Sequence, residues 1–150
     1  NSFDGYWSLG VIEHFYNGYD EIISEMHRVL KPGGILFLTV PSMSWLRRFK
    51  AKLNIYPLWR KEKKYIDEFY QFALHPQTVE NDLEAIGFKV VKTSPYDGFK
   101  GLKDEVKILK PIMQYIYDSN NIILKIIKRV VDVFVKPFAS HMTLFILRKQ

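Results

Sequence analysis

The sequence predicts an α/β protein with a parallel pair of strands at its heart and helices on both faces of the sheet. Three features carry this prediction. A short strand-like run, Phe3–Ser8, empties into the small-residue turn Ser8-Leu9-Gly10. A helical stripe follows in which Ile22, Ile23, Met26, Val29 and Leu30 recur at the i, i+1, i+4, i+7 and i+8 spacing of one buried face. It stops at Lys31-Pro32-Gly33-Gly34, after which Ile35–Val40 is a continuous apolar run, the pattern of a strand covered on both faces. Strand, helix and strand in this order make a βαβ unit, which demands parallel strands and a right-handed crossover. Ligands of such sheets sit at the carboxyl ends of the strands.

The remaining elements follow in chain order. Asn17 or Gly18 is placed to cap the first helix, with Asp20 and Glu21 favourable in its first turn. Pro41-Ser42 ends the second strand, and Ser42 or Ser44 is placed to cap a short helix running to Leu53. Pro57 breaks the chain, and Lys61–Phe72 reads equally as helix or extended loop. His75-Pro76 opens a clean helix with Val79, Leu83 and Ile86 on its buried face and Gly87 at its end. Phe88–Thr93 is a strand and Ser94–Gly101 a loop. Two helical stretches follow, Leu102–Tyr117 with a break at Pro111, and Asn121–Val135. His141–Arg148 is the final strand. Residues 1–150 are expected to form one partial domain, with a basic, aromatic insert at 44–72 and a helical excursion at 102–136.

A chain of 150 residues with 47% hydrophobic and 25% charged residues has a soluble globular balance. With no cysteine, disulfides and thiolate metal sites are excluded, which fits a reducing compartment and an expected cytoplasmic location. The four histidines lack metal-ligand spacing, so no metal is expected. The most apolar stretch, Asn121 to Phe138, carries Lys125, Lys128, Arg129, Asp132 and Lys136, which argues against a spanning helix. Net charge is +6, and it is localised. Arg47 to Lys64 holds eight cations against Glu62 alone, leaving 14 cations and 15 anions elsewhere. A near-neutral body with one basic insert points to a local anionic partner, a phosphate-bearing substrate or a membrane surface, and away from nucleic acid.

Several stretches together resemble the C-terminal half of a class I S-adenosylmethionine-dependent methyltransferase of the type 11-like kind. They are Asn-Ser-Phe-Asp at 1–4, Ser-Leu-Gly-Val-Ile-Glu-His at 8–14, Glu25 to Gly34, the helix–Gly87-Phe88–strand element, and the terminal strand. The likeness covers Asn1 to about Tyr96 and resumes at His141. It implies a partial Rossmann-like sheet. Phe3–Ser8, Ile35–Val40, Phe88–Thr93 and His141–Arg148 match the family's strands 4, 5, 6 and 7, in the spatial order 4-5-7-6 with the last antiparallel. Strands 1 to 3, with the glycine-rich loop and the ribose-binding acid, have no counterpart. The resemblance therefore implies part of a longer enzyme, weak or inactive alone, with S-adenosylmethionine as its cofactor.

The resemblance also places site residues. Ser8, Leu9 and Gly10 would run under the methionine part of the cofactor, with Glu13 and His14 just beyond; a plain strand-to-helix turn is the alternative. His14 would contact the cofactor or act as a base, or else only cap the next helix. Tyr16 would wall the acceptor pocket or be a surface aromatic. His75 is a helix cap or an acceptor contact. Trp45, Arg48 and Tyr70 belong to the cationic and aromatic insert, which suits a small-molecule, glycan-linked or lipid-linked acceptor, or a bilayer interface, or is only a solvated cover. The apolar stripe Ile122, Ile123, Ile126, Ile127, Val130, Val131 and Phe134 reads as core or lid packing, a dimer face or a membrane-docking face. A non-catalytic module binding a membrane or a protein through this insert and helix is the alternative function, and oligomerisation is left open.

Overall fold

The computed structural model describes residues 1–57 and 63–150. Trp59, Arg60, Lys61 and Glu62 of the basic run, and the side chains of Lys63 and Lys64, lie outside the described residues. Chain order is β1 (Phe3–Leu9), a 3-10 turn at Ile12–His14, α1 (Asp20–Val29), β2 (Leu30–Pro41), α2 (Trp45–Lys52), α3 (Lys63–Asp67), α4 (Pro76–Ala85) and β3 (Phe88–Tyr96). There follow α5 (Gly98–Glu105), a 3-10 turn at Lys107–Leu109, α6 (Lys110–Asp118), α7 (Ile122–Ala139) and β4 (Met142–Lys149). Among the described residues the sheet has four strands in the order β1-β2-β4-β3, the order that 4-5-7-6 requires. By contact density the chain forms two compact units. The first takes residues 1–41, the described part of 58–94 and 143–150; the second takes 42–57 and 95–142.

In the first unit β1 and β2 pair in parallel, with Trp7 opposite Phe37 and Leu9 opposite Thr39. The alternating side chains Leu36, Leu38 and Val40 of β2 are fully buried. With Ile12, Ile23, Met26, Leu30, Val79, Leu83, Phe88, Phe145 and Leu147 they form one core. Each such aliphatic contributes about 1.5–3 kcal/mol by leaving water. The opposite face is not covered to the same degree, contrary to the reading of Ile35–Val40 as doubly buried. Ile35 and Phe37 are half-buried there, and Trp7, stacked on Phe37 at 4.3 Å between ring centroids, stays 67% exposed.

Three local expectations are corrected. Tyr19, not Asn17 or Gly18, occupies the N-cap of α1, without a side-chain cap; its hydroxyl instead donates to Asp82 of α4 at 2.5 Å. The Lys31-Pro32-Gly33-Gly34 stop is itself inside β2, where the register slips between Phe3/Leu30 and Gly5/Ile35. That slip is a bulge, which accommodates the extra residues of the helix stop without ending the strand. Ser94–Gly101 is not a loop: β3 runs on to Tyr96 and α5 begins at Gly98.

The second unit is helical. Ser44 caps α2, accepting from the Arg47 amide at 3.5 Å. Asn121 caps α7, accepting from the Ile123 and Leu124 amides. Gly98 and Gly101 explain why α5 starts where a loop was expected. A Cβ on Gly98 would meet the Lys136 backbone at 2.4 Å, and one on Gly101 the Ala139 carbonyl oxygen at 1.7 Å. These glycines are the contact that lets α5 lie against α7 at backbone distance. Among the described residues, no helix is long and apolar enough to cross a membrane.

Candidate functional site

The site grows from the carboxyl ends of the parallel pair. After β1, Gly10 turns the chain with φ +69°, a conformation that glycine adopts without a Cβ clash. Its amide donates to the Thr39 carbonyl of β2 at 3.1 Å, so the turn is tied across the mouth of both strands. Ser8 is buried just before the turn, while Leu9 is 58% exposed. The 3-10 turn then buries Ile12 and Glu13 and leaves His14 exposed.

Glu13 is the unusual group. It is 2% exposed, and among the described residues its Oε2 has no hydrogen-bond partner; neither does the buried Ser8 Oγ. Burial pushes the Glu13 carboxyl above the ordinary carboxylate range, against the smaller opposing effects of its own backbone amide and of His14. A buried acid with an oxygen unpartnered among the described residues suits a cationic or hydrogen-bond-donating ligand.

The stretch that follows α3 folds over this turn. The Phe72 amide donates to the Glu13 carbonyl at 2.9 Å, and the Leu74 amide donates to the Pro41 carbonyl at 2.8 Å. The His14 Nδ1 lies 2.7 Å from the Tyr70 carbonyl oxygen. A carbonyl only accepts, so Nδ1 carries the proton and Nε2 is the acceptor of the neutral ring. The Tyr70 ring meets His14 edge-on at 5.1 Å, and Tyr16 contacts Phe69 at 5.0 Å and Phe72 at 5.7 Å. Ser8, Leu9, Gly10, Glu13, His14, Tyr16 and Tyr70 thus belong to one cluster in the first unit, and His75 follows as the N-cap of α4. The aromatic partners Phe69 and Phe72 had only their place in the insert to mark them; which aromatic would meet Tyr16 is a matter of how the chain returns.

Trp45 and Arg48 fall in the second unit. They line a cavity of about 130 Å³ with Phe49 and Lys52, and Trp45 stacks on Phe49. The basic run is partly spent inside this unit. Arg47 is 6% exposed; its Nε donates to Glu105 at 2.7 Å and an NH₂ nitrogen donates to the Ser42 carbonyl at 2.7 Å. Lys50 donates to the other Glu105 oxygen at 2.5 Å. Burial alone would raise the Glu105 carboxyl, but the hydrogen bonds from Lys50 and Arg47 outweigh it and hold the group below its ordinary value.

With the geometry in view, the comparisons with known proteins are specific about the first strand–helix–strand. Residues 1–38 match the family described as a methyltransferase domain. No curated protein matches the sequence. Among solved structures, a SAM-dependent methyltransferase from Archaeoglobus fulgidus aligns over 99% of this chain and 60% of its own, at 20% identity and TM-score 0.55. The cyclopropane synthase MmaA2 from Mycobacterium tuberculosis aligns over 99% and 56%, at 16% identity and TM-score 0.52. The [4+2]-cyclase SpnF aligns over 99% and 50%, at 19% identity and TM-score 0.52. The chain spans 50% to 60% of the length of these proteins. Their names cover different reactions, so the shared fold does not by itself select the chemistry. The chain has the Rossmann-like α/β fold of S-adenosylmethionine-dependent methyltransferases, and its first strand, first helix and most of its second strand match their family by sequence.

Proposed function

We propose that the chain is part of an enzyme that transfers a methyl group from S-adenosylmethionine to a small-molecule, glycan-linked or lipid-linked acceptor, within a longer polypeptide. The observation that carries this reading is the Gly10 turn, tied to Thr39 at the mouth of β1 and β2 beside a buried Glu13 with an unpartnered oxygen. The family match at residues 1–38 covers the same segment. The cofactor supplies an electrophilic methyl group on a positively charged sulfur.

The chain's own residues do the rest. Leu9 and Gly10 present backbone to the ligand, with Ser8 behind them. Glu13 offers a carboxylate to a cationic group, whose charge offsets the desolvation that raises the acid. His14, its tautomer set by the Tyr70 carbonyl, takes a proton from the acceptor at Nε2. Tyr16 and Tyr70 wall the acceptor and exclude water, which a displacement in near-attack geometry requires. His75, at the N-cap of α4, is the further acceptor contact in this reading.

Calorimetry with S-adenosylhomocysteine tests it. The polypeptide that also carries a glycine-rich loop should bind, the 150-residue chain should bind weakly, and Glu13→Gln should weaken binding in the longer protein. Absence of heat from that longer protein overturns the reading.

A second reading, a module that docks on a membrane surface, is favoured by one observation. The apolar stripe of α7 is open to solvent: Ile122 is 69%, Ile126 56%, Val130 51% and Phe134 75% exposed. Replacing Ile126 and Phe134 with Ser should then reduce partitioning to vesicles, and unchanged partitioning removes the reading. The basic insert adds less to it than its charge implies, because Arg47 and Lys50 already serve Glu105.

A further inference from the structure

The second unit holds a cavity of about 410 Å³ lined by Asp97, Phe99 and Lys100 around the start of α5, Tyr117 of α6, and residues of α7. The α7 residues are Lys125, Lys128, Arg129 and Asp132, at the i, i+3, i+4 and i+7 positions of one helical face. Four cations therefore meet two acids. Asp132 already accepts from the Phe99 amide at 2.9 Å. Among the described residues Lys100, Lys125 and Arg129 form no ion pair. The ammonium of Lys128 sits 4.6 Å from the centre of the Tyr117 ring, and that of Lys103 lies 4.7 Å from the same centre. Ring attraction thus draws two cations to one aromatic side chain. Lys103 has Gln114 and Asp104 as partners, whereas among the described residues Lys128 has the ring alone.

We infer that this cavity binds a phosphate monoester, with the phosphate among Lys100, Lys125, Lys128 and Arg129 and the organic part against Tyr117. A guanidinium and several ammoniums suit a tetrahedral dianion better than a single carboxylate, because charge-assisted bonds can be made on several oxygens at once. The cavity is larger than a bare phosphate needs and falls in the range of small-ligand pockets, about 300–1,000 Å³. The half-buried Tyr117 gives an esterified carbon skeleton a surface to pack on. The site is separate from the methyl-transfer reading and stands without it.

The test uses the 150-residue chain and two sources of the same group. Glycerol 3-phosphate is titrated by calorimetry, and vesicles of phosphatidylcholine with or without phosphatidic acid are tested by co-sedimentation. Lys125→Gln with Arg129→Gln removes two exposed cations; Lys89→Gln with Lys92→Gln removes two exposed cations of β3 as a charge-matched control. Far-UV circular dichroism checks the fold, and Lys100→Gln repeats the measurement from α5 if the α7 variant loses helix. Binding of the soluble ester that falls about tenfold or more in the α7 variant, and is unchanged in the control, supports a soluble ligand. Binding confined to vesicles with phosphatidic acid, lost in the same variant only, supports a lipid headgroup as the source. Binding of neither, equal loss in the control, or equal binding to pure phosphatidylcholine overturns the inference.

Discussion

Glu13 concentrates the conflict between stability and function in one side chain. Its carboxyl is raised by burial, so the folded state holds its proton at pH values where the unfolded chain has released it. The stabilising share of that acid is present below its unfolded value of 4.5 and is lost as pH rises through the folded value. At neutral pH the buried, half-partnered charge is therefore a cost. Glu13→Gln should raise the melting temperature at pH 7, by the equivalent of about 1 kcal/mol, and change little below pH 4.5. The same variant should weaken cofactor binding in the longer protein. Thermal melts at both pH values check the first half, and a variant less stable at pH 7 contradicts it. Glu105 behaves in the opposite sense. It is an acid with two cationic partners, of which Arg47 is buried, so Glu105→Ala leaves Arg47 uncompensated and should cost about 3–5 kcal/mol in urea unfolding.

Elements were legible in the sequence wherever their pattern is local. The stripe of α1, the Pro76 start and Gly87 end of α4, and the Ser44 cap of α2 are each set by residues within a few positions. The first turn of α5 was not legible, because Gly98 and Gly101 read locally as loop residues. Their reason is a partner 38 positions away in each case, Lys136 and Ala139. The spacing of two glycines three apart was the available signal, and it acquires meaning only when a second helix is present to approach. Gly101→Ala should therefore be among the most damaging single substitutions, about 3 kcal/mol or more, because the added methyl meets backbone rather than a flexible side chain. Gly33→Ala, with no atom within 4 Å of the added carbon, should show only the strain of its positive φ. Chemical denaturation of the two variants side by side checks the ranking.

At the scale of the whole molecule, acid sensitivity joins both units. Burial lowers His27, helped by the charge of Lys149, and burial lowers His141, helped by Lys100 and Arg47. The unfolded chain thus takes up protons first as pH falls below the ordinary histidine value of 6.5. Their contribution to stability is complete above that value and is lost as pH falls through it toward the lower folded values. The melting temperature should be flat from about pH 7 to 8 and decline between about pH 6.5 and 5. A flat profile across that lower window contradicts the assignment. The molecule also carries apolar surface that its own chain leaves open, Phe3, Trp7 and Leu9 on β1 and the stripe of α7. Edge strands of this kind are sites of further pairing.

The sequence by itself determined the βαβ unit, the four strands and the turn at Ser8-Leu9-Gly10, because periodicity and helix stops act through neighbours in the chain. It also marked Tyr16, His14 and Tyr70 as candidates without joining them. Only the tertiary structure decided that the Tyr70 carbonyl sets the His14 tautomer, that Glu13 is buried with an oxygen unpartnered, and that Arg47 is spent on Glu105. The reason is physical: a charge or a ring has no fixed value in a string of residues, and acquires one when folding removes water and brings distant groups within a few ångströms of it.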